Sequence, residues 1–189
     1  ADLMNNPISE LKIFTCHLGN GCSVTAIDKG KSVDTSMGFT PLEGLIMGTR
    51  SGDIDPAIVL HLLGREELSL SEGSTLLNKH SGLIGISGIS SDMLDLEQEW
   101  HEGNKRAKLA IRAFCYRIKK YIGAYSAVMG GIDAIAFTGG IGENSELIRE
   151  LCLENLSYLG VEFDDRRNSS ESLEERLIST DSSPVKVFV

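Results

Sequence analysis

Three short glycine-rich stretches hold the residues best suited to chemistry in this 189-residue chain. The first is GLIMGTRSGDIDP, residues 44–56, with Arg50 set among small residues. Arginine keeps its charge and its planar fork matches phosphate oxygens. Fixed in a tight loop, it neutralises charge that develops on a transferring phosphoryl group. The same residues also fit a surface arginine in a flexible loop, or one paired with Asp53 or Asp55. The second stretch is His17-Leu18-Gly19-Asn20-Gly21, between two strand-like runs. Glycine admits positive φ and brings backbone amides close to a ligand, so such a turn can cradle a phosphate. Taken alone, the tripeptide reads sooner as a plain tight hairpin, and His17 beside it as structural. The third, Thr138-Gly139-Gly140-Ile141-Gly142-Glu143-Asn144-Ser145, follows an apolar run and opens a helical one. Amides exposed at a helix start favour an anion or a polar nucleotide group. It is an imperfect dinucleotide fingerprint, with serine at the third glycine position, and it lacks the Gly-Lys-Ser/Thr of a Walker A loop. Three such turns in one chain shift the reading toward phosphate chemistry and away from a nicotinamide enzyme.

These loops need rigid supports, and the flanking pattern supplies them. Residues 11–16 and 22–27 alternate as strands, and Asp28-Lys29-Gly30-Lys31 turns into a third over 32–35, which predicts a three-strand meander. Asp55-Pro56 reads as a cap and first helical position, starting a helix that runs to about Leu63 and stops at Gly64. A second helix is expected over 72–79, a small-residue loop over 81–88, and a third helix from the Ser90-Ser91-Asp92 cap to about Glu102. Ala107, Ile111, Phe114, Ile118, Ile122, Tyr125 and Met129 recur every three or four residues, the strongest helix signal, over 105–129. A buried strand over 132–137, a glycine turn over 138–144 and a helix over 145–156 follow. The acidic, serine-rich stretch 162–183 is expected to be mostly loop with one or two edge strands. The order defines an α/β class with a mixed sheet and flanking helices, one core, and no linker that divides it.

Composition narrows the function. The net charge is −9, with 41% apolar and 24% charged residues, ordinary for a globular domain and unlike a nucleic-acid surface, which needs a basic footprint. An anionic ligand must therefore be held by local donors. No apolar run reaches the ~18 residues of a membrane span and no signal-peptide pattern opens the chain, so no membrane partner and a cytoplasmic location are expected. Cys16, Cys22, Cys115 and Cys152 show no zinc spacing and are expected to be reduced, buried hydrophobes. His61, His80 and His101 make no ligand spacing. The basic residues between 105 and 120 are expected to be the solvated side of the long helix. Both ends read as cut, and the chain as part of something longer.

Taken together, HLGNGCSVTAIDKGKSVDTSMGFTPLEGLIMGTRSGDIDP (17–56) closely resembles a signature region of the acetate, propionate and butyrate kinase family. SGLIGISGISSD (81–92), YIGAYSAVMGGIDAIAFTGGIGENS (121–145) and the final VKVFV resemble the same family in the same order. The resemblance implies an RNase H-like lobe of the actin-like ATPase and sugar-kinase superfamily over 1–189, the C-terminal nucleotide-binding portion of an acetokinase-type enzyme. It implies ATP/ADP and Mg²⁺ as cofactors, acetate or another short carboxylate as acceptor, and a homodimer. It assigns His17, Leu18, Gly19, Asn20 and Gly21 to nucleotide phosphates, Gly140, Ile141, Gly142, Glu143 and Asn144 to adenosine, and transition-state stabilisation to Arg50. The family usually has Asp-x-Arg in the nucleotide pocket where this chain has Asp92-Met93-Leu94, so one cation is missing there. The family's other lobe, with an aspartate, a histidine and a further arginine, and its magnesium-holding glutamate are expected outside these residues. No metal ligand is therefore assigned within the chain, and alone it is expected to be an incomplete catalyst. The alternatives are a propionate kinase, or a nucleotide-binding or dimerisation module without chemistry.

Overall fold

The computed structural model describes residues 1–170 and 174–189. Two compact units share the chain: one takes residues 1–19, 23–36 and 115–189, the other 20–22 and 37–114. The single core expected from the sequence is thus two, and no change of composition marks the division. It falls inside one continuous helix, between Phe114 and Cys115.

The first unit is built on a sheet of β1 (Lys12–Leu18), β2 (Cys22–Asp28), β3 (Lys31–Thr35), β4 (Ala134–Thr138) and β5 (Lys186–Phe188), in the order β3-β2-β1-β4-β5. Lys29 (φ +52) and Gly30 (φ +77) both take the left-handed conformation that a two-residue hairpin requires, so β2 and β3 pair antiparallel. β1 and β4, and β4 and β5, pair parallel. Alternation then buries Phe14, Cys16 and Leu18 of β1 and Val24 and Ala26 of β2. The long helix α5 (Lys105–Met129) has the bounds its periodicity predicts, and its second half buries Cys115, Ile118, Ile122 and Tyr125. The Tyr125 ring lies 5.8 Å from that of Phe14, and its hydroxyl donates to Asp34 Oδ1 at 3.2 Å. Each such large apolar side chain contributes about 1.5–3 kcal/mol by leaving water.

After β4 the chain forms α6 (Gly139–Asn144), α7 (Glu146–Leu153) and the single turn α8 (Asp165–Asn168). The glycine turn expected over 138–144 is therefore a short helix, and Ser145 both ends it and caps the next by accepting from Ile148 N at 3.0 Å. In the acidic stretch the expected edge strands are isolated bridges only, Val161 with Val185, Phe163 with Ser179 and Leu177 with Phe188. Residues 171–173 of that expectation lie outside the described residues.

The second unit holds α1 (Pro56–Arg65), α2 (Leu70–Lys79), α3 (Gly82–Ser87), α4 (Met93–His101) and the first half of α5. Its core is Leu45, Met47, Leu83, Met93, Leu96, Ala107, Ala110, Ile111 and Phe114. Asp55 caps α1 through Ala57 N at 2.9 Å, with Pro56 at the first helical position. Two expectations are corrected. Gly64 does not stop α1, because a helix tolerates one glycine for roughly 1 kcal/mol; the chain reverses beyond it, where Glu67 has φ +52. The stretch 81–88 is not a loop: its small residues let α3 form between Ser81 and the left-handed Gly88. α2 also starts two residues early, at the reciprocal cap of Ser69 and Glu72. All four cysteines are buried and outside any disulfide, as expected. No helix among the described residues is long and apolar enough to cross a membrane.

Candidate functional site

The loop around Arg50 is closed at its neck by Gly44 and Asp53. Gly44 N donates to Asp53 Oδ1 at 2.8 Å, and Asp53 N returns a bond to Gly44 O at 3.0 Å. Leu45 and Met47 anchor it in the core. Gly52 (φ +69) permits the return path, since a Cβ there would stand 2.5 Å from Leu45 O. Helix ends do the rest. The last carbonyls of α2 and the first amides of α3 have no partners within their helices. Ser51 N donates to Leu77 O at 3.1 Å and Thr49 Oγ1 to Asn78 O at 2.8 Å, while Leu83 N donates to Met47 O at 2.9 Å and Ile84 N to Gly48 O at 3.1 Å. Gly82 (φ +61) makes this approach possible, as a Cβ there would collide with Met47 O and stand 2.6 Å from Arg50 O.

Asn20 and Gly21 belong to the same unit and meet this loop. Gly48 N donates to Asn20 O at 3.0 Å, and the Asn20 side chain covers the place a Gly48 Cβ would take. Arg50 Nη1 lies 3.4 Å from where a Gly21 Cβ would be. Asp53 and Asp55, the local partners the sequence offered for Arg50, are bonded to Gly44 N and Ala57 N. Among the described residues the half-buried guanidinium makes one polar contact, 3.5 Å to Met47 Sδ. Thioether sulfur is a weak acceptor, so this cation retains most of its capacity for an anion.

In the first unit, β1 and β4 end side by side with His17 opposite Thr138, and His17 Nδ1 lies 3.0 Å from Thr138 Oγ1. His17 is exposed, Leu18 is buried and Gly19 is half-buried. Gly139 (φ +78) turns directly over the end of β1, where a Cβ would stand 2.7 Å from Leu18 O. The carboxyl ends of adjacent parallel strands are where α/β sheets take ligands. At this turn Gly139 N donates to Glu143 Oε1 at 2.9 Å, and Asn144 Nδ2 donates to Gly140 O at 2.8 Å. The first amide of α6 is thus already met by a carboxylate, so the segment suits an uncharged polar group better than the anion its glycines suggested. Gly140 is exposed with nothing within 4 Å of its Cβ position, Ile141 is half-buried and Gly142 buried.

Asp92, Met93 and Leu94 separate. Asp92 caps α4 through Leu94 N at 2.9 Å, Met93 enters the core at 4% exposed, and Leu94 is 72% exposed. Sequence reasoning missed Gly82 and Asn78, hidden in a run read as loop and helix end, and Arg149, which nothing in the helical pattern over 145–156 sets apart. Among the described residues no group of three or more His, Cys, Asp or Glu is placed to hold a metal ion.

A five-stranded mixed sheet with flanking helices and loops at parallel strand ends is the α/β lobe of the actin-like ATPase and sugar-kinase class. The Porphyromonas gingivalis acetate kinase structure matches 99% of this chain and 47% of its own at TM-score 0.96 and 44% identity. A propionate kinase from Francisella tularensis matches 93% of this chain and 44% of its own at TM-score 0.86 and 43% identity. Acetate kinase of Caldicellulosiruptor saccharolyticus is 56% identical over 190 residues, 100% of this chain and 48% of the relative. The acetokinase family model matches residues 1–189, and the chain belongs to that family. It spans about half the length of the curated relatives it matches.

Proposed function

We propose that the protein carrying this chain transfers the γ-phosphoryl group of ATP reversibly to acetate, giving acetyl phosphate and ADP. The observation that carries the reading is Arg50, a half-buried cation beside Gly21 whose loop is fixed by two helix ends and whose one polar contact among the described residues is a sulfur. When bound, ATP supplies the phosphoryl group: a carboxylate oxygen of the acceptor bonds to the γ-phosphorus as the bond to the β,γ-bridging oxygen breaks, and no proton is needed. In a loose transition state charge spreads over the phosphoryl oxygens, and positioning with charge neutralisation is what a protein contributes. Arg50 supplies that neutralisation, and the Asn20-Gly21 backbone a surface without side-chain bulk. His17, Leu18 and Gly19 approach the phosphates by backbone, and Gly140 to Asn144 receive the nucleoside; for Asp92 and Leu94, in the other unit, only the family resemblance supports a nucleotide contact. Among the described residues no cluster of three or more His, Cys, Asp or Glu would hold magnesium, which the family resemblance supports as the nucleotide's companion.

The likeness to a propionate kinase at nearly the same identity supports a second acceptor, propionate. Turnover of acetate and propionate in competition, read as acyl phosphate formed, decides between them; no acyl phosphate from either removes the proposal. A cytoplasmic homodimer completes the reading, and light scattering that finds only monomer would count against the dimer.

A further inference from the structure

Among the described residues Arg149, on α7, is the largest fully buried side chain, 1% exposed. A buried guanidinium is costly unless its donors are met. Its Nη1 donates to Gly142 O and to Glu143 O, both at 2.9 Å, and on the other side Nε donates to Asn168 Oδ1 at 2.6 Å and Nη2 to Asn168 O at 2.8 Å. Gly142 and Glu143 are at the end of α6, where carbonyls have no helical partner and the negative end of the helix dipole lies. Ser145 breaks the helix there, so these carbonyls need an external donor. Arg149 reaches back from α7, six and seven residues along the chain, to supply it. Glu143, held by its carbonyl, closes Gly139 N with its carboxylate, and Asn144 bonds Gly140 O. The exposed face of α6 is thus set from behind by one buried cation, itself steadied by Asn168, whose Nδ2 donates to Glu146 O at 3.0 Å.

We propose that Arg149 is a positioning residue for nucleoside recognition: it fixes the conformation of residues 139–144 without touching ligand, and so sets nucleotide affinity and not the phosphoryl step. This rests on the proposal that Gly140 to Asn144 receive the nucleoside. In the full-length protein, Arg149→Lys keeps a charge but loses the fork that spans both carbonyls. It is expected to raise KM for ATP by about tenfold or more, with KM for acetate unchanged and kcat within about twofold. Arg149→Met is expected to raise it further. Ile178→Val, a buried change in the same unit, serves as a control for destabilisation and is expected to leave KM for ATP unchanged. Equal rises in both KM values, or a rise in the control, assign Arg149 a general structural role and overturn the proposal. Hydrogen exchange is read alongside, and remains decisive should Arg149→Met fail to fold. ATP is expected to slow amide exchange over 139–144 in the wild type, and Arg149→Lys to speed it there without ATP. ATP-dependent protection in the wild type with an unaltered Arg149→Lys variant overturns the role of Arg149 alone. Absence of that protection in the wild type overturns the nucleoside assignment and this inference with it.

Discussion

Arg50 contributes to the proposed reaction only if its charge is reserved for the ligand, and its contact with Met47 Sδ leaves it so. Charge-assisted bonds to phosphoryl oxygens are worth roughly 1.5–3 kcal/mol each, more as charge develops in a dry site. Arg50→Ala is therefore expected to lower kcat by about 10³ or more in the full-length protein, with a much smaller change in KM for ATP. Arg50→Lys should recover only part, because a point charge replaces a fork. A steady-state assay of both variants checks this, and near-normal turnover of the alanine variant would remove Arg50 from the mechanism. The cysteines make the opposite case. Burial pushes the Cys152 thiol well above its ordinary range, and the hydrogen bond with Cys115 pushes it the same way. The thiolate is the nucleophile, so raising pH from 7 to about 8.5 should barely increase iodoacetamide labelling of the native protein. Mass spectrometry should find Cys115 and Cys152 labelled only after unfolding; native labelling would mean that α5 and α7 open.

Among the elements, the ends of α2 and α3 are what turn a glycine-rich loop into a fixed platform, and two glycines test that claim in opposite directions. Gly82 has φ +61 and a Cβ there would meet Met47 O and Arg50 O, whereas Gly64 lies in α1 with nothing within 4 Å. Gly82→Ala should destabilise by about 1–3 kcal/mol from backbone strain, with added loss from the collision, and lower kcat by displacing Arg50. Gly64→Ala should stabilise by about 0.5–1 kcal/mol and leave kcat alone. Urea unfolding of the pair decides, and equal effects would show that the loop does not depend on Gly82. The cap of α2 has its own pH signature. Hydrogen bonds from the Ser69 hydroxyl and amide hold the Glu72 carboxyl below its usual range. A depressed folded pKa means that the stabilisation is present at neutral pH, above the unfolded value near ~4.3, and is lost as pH falls through the folded value. Glu72→Gln should therefore flatten that part of the acid dependence of Tm. The caps at Asp55 and Asp92 and the full length of α5 were legible in the sequence because each depends on neighbours within one turn. Gly64, the helix over 82–87 and the Gly82 collision were not. The last two are decided by what packs against them from afar, whereas Gly64 stands open in α1 and costs the helix too little to end it.

At the scale of the whole chain, the fold class was readable from the alternation of strand and helix patterns, and two of the glycine stretches were readable as tight turns, with positive φ at Gly52 and Gly139. The division into two units was not, because its boundary lies within the uninterrupted period of α5 and no linker announces it. Arg149 escaped for a related reason: a buried arginine and a surface one look alike until the carbonyls of α6 are placed against it. Charge remains informative at this scale. A chain of net charge −9 that binds a nucleotide must do so with a few local donors working against the general field. A nucleic-acid surface behaves differently, losing about 10³ to 10⁵ in affinity between 50 and 200 mM salt as many phosphate contacts release counterions. One arginine and a set of backbone amides have few counterions to release, and added salt also screens the repulsion between ATP and the acidic surface. KM for ATP in the full-length protein is therefore expected to change by no more than about threefold over that range. The same protein should fail to retard a labelled RNA or duplex DNA at 50 mM salt in a gel-shift assay. A steep loss of ATP affinity with salt would mean that a basic surface beyond Arg50 holds the phosphates, and the loop at residues 44–56 would lose its place at the centre of the site.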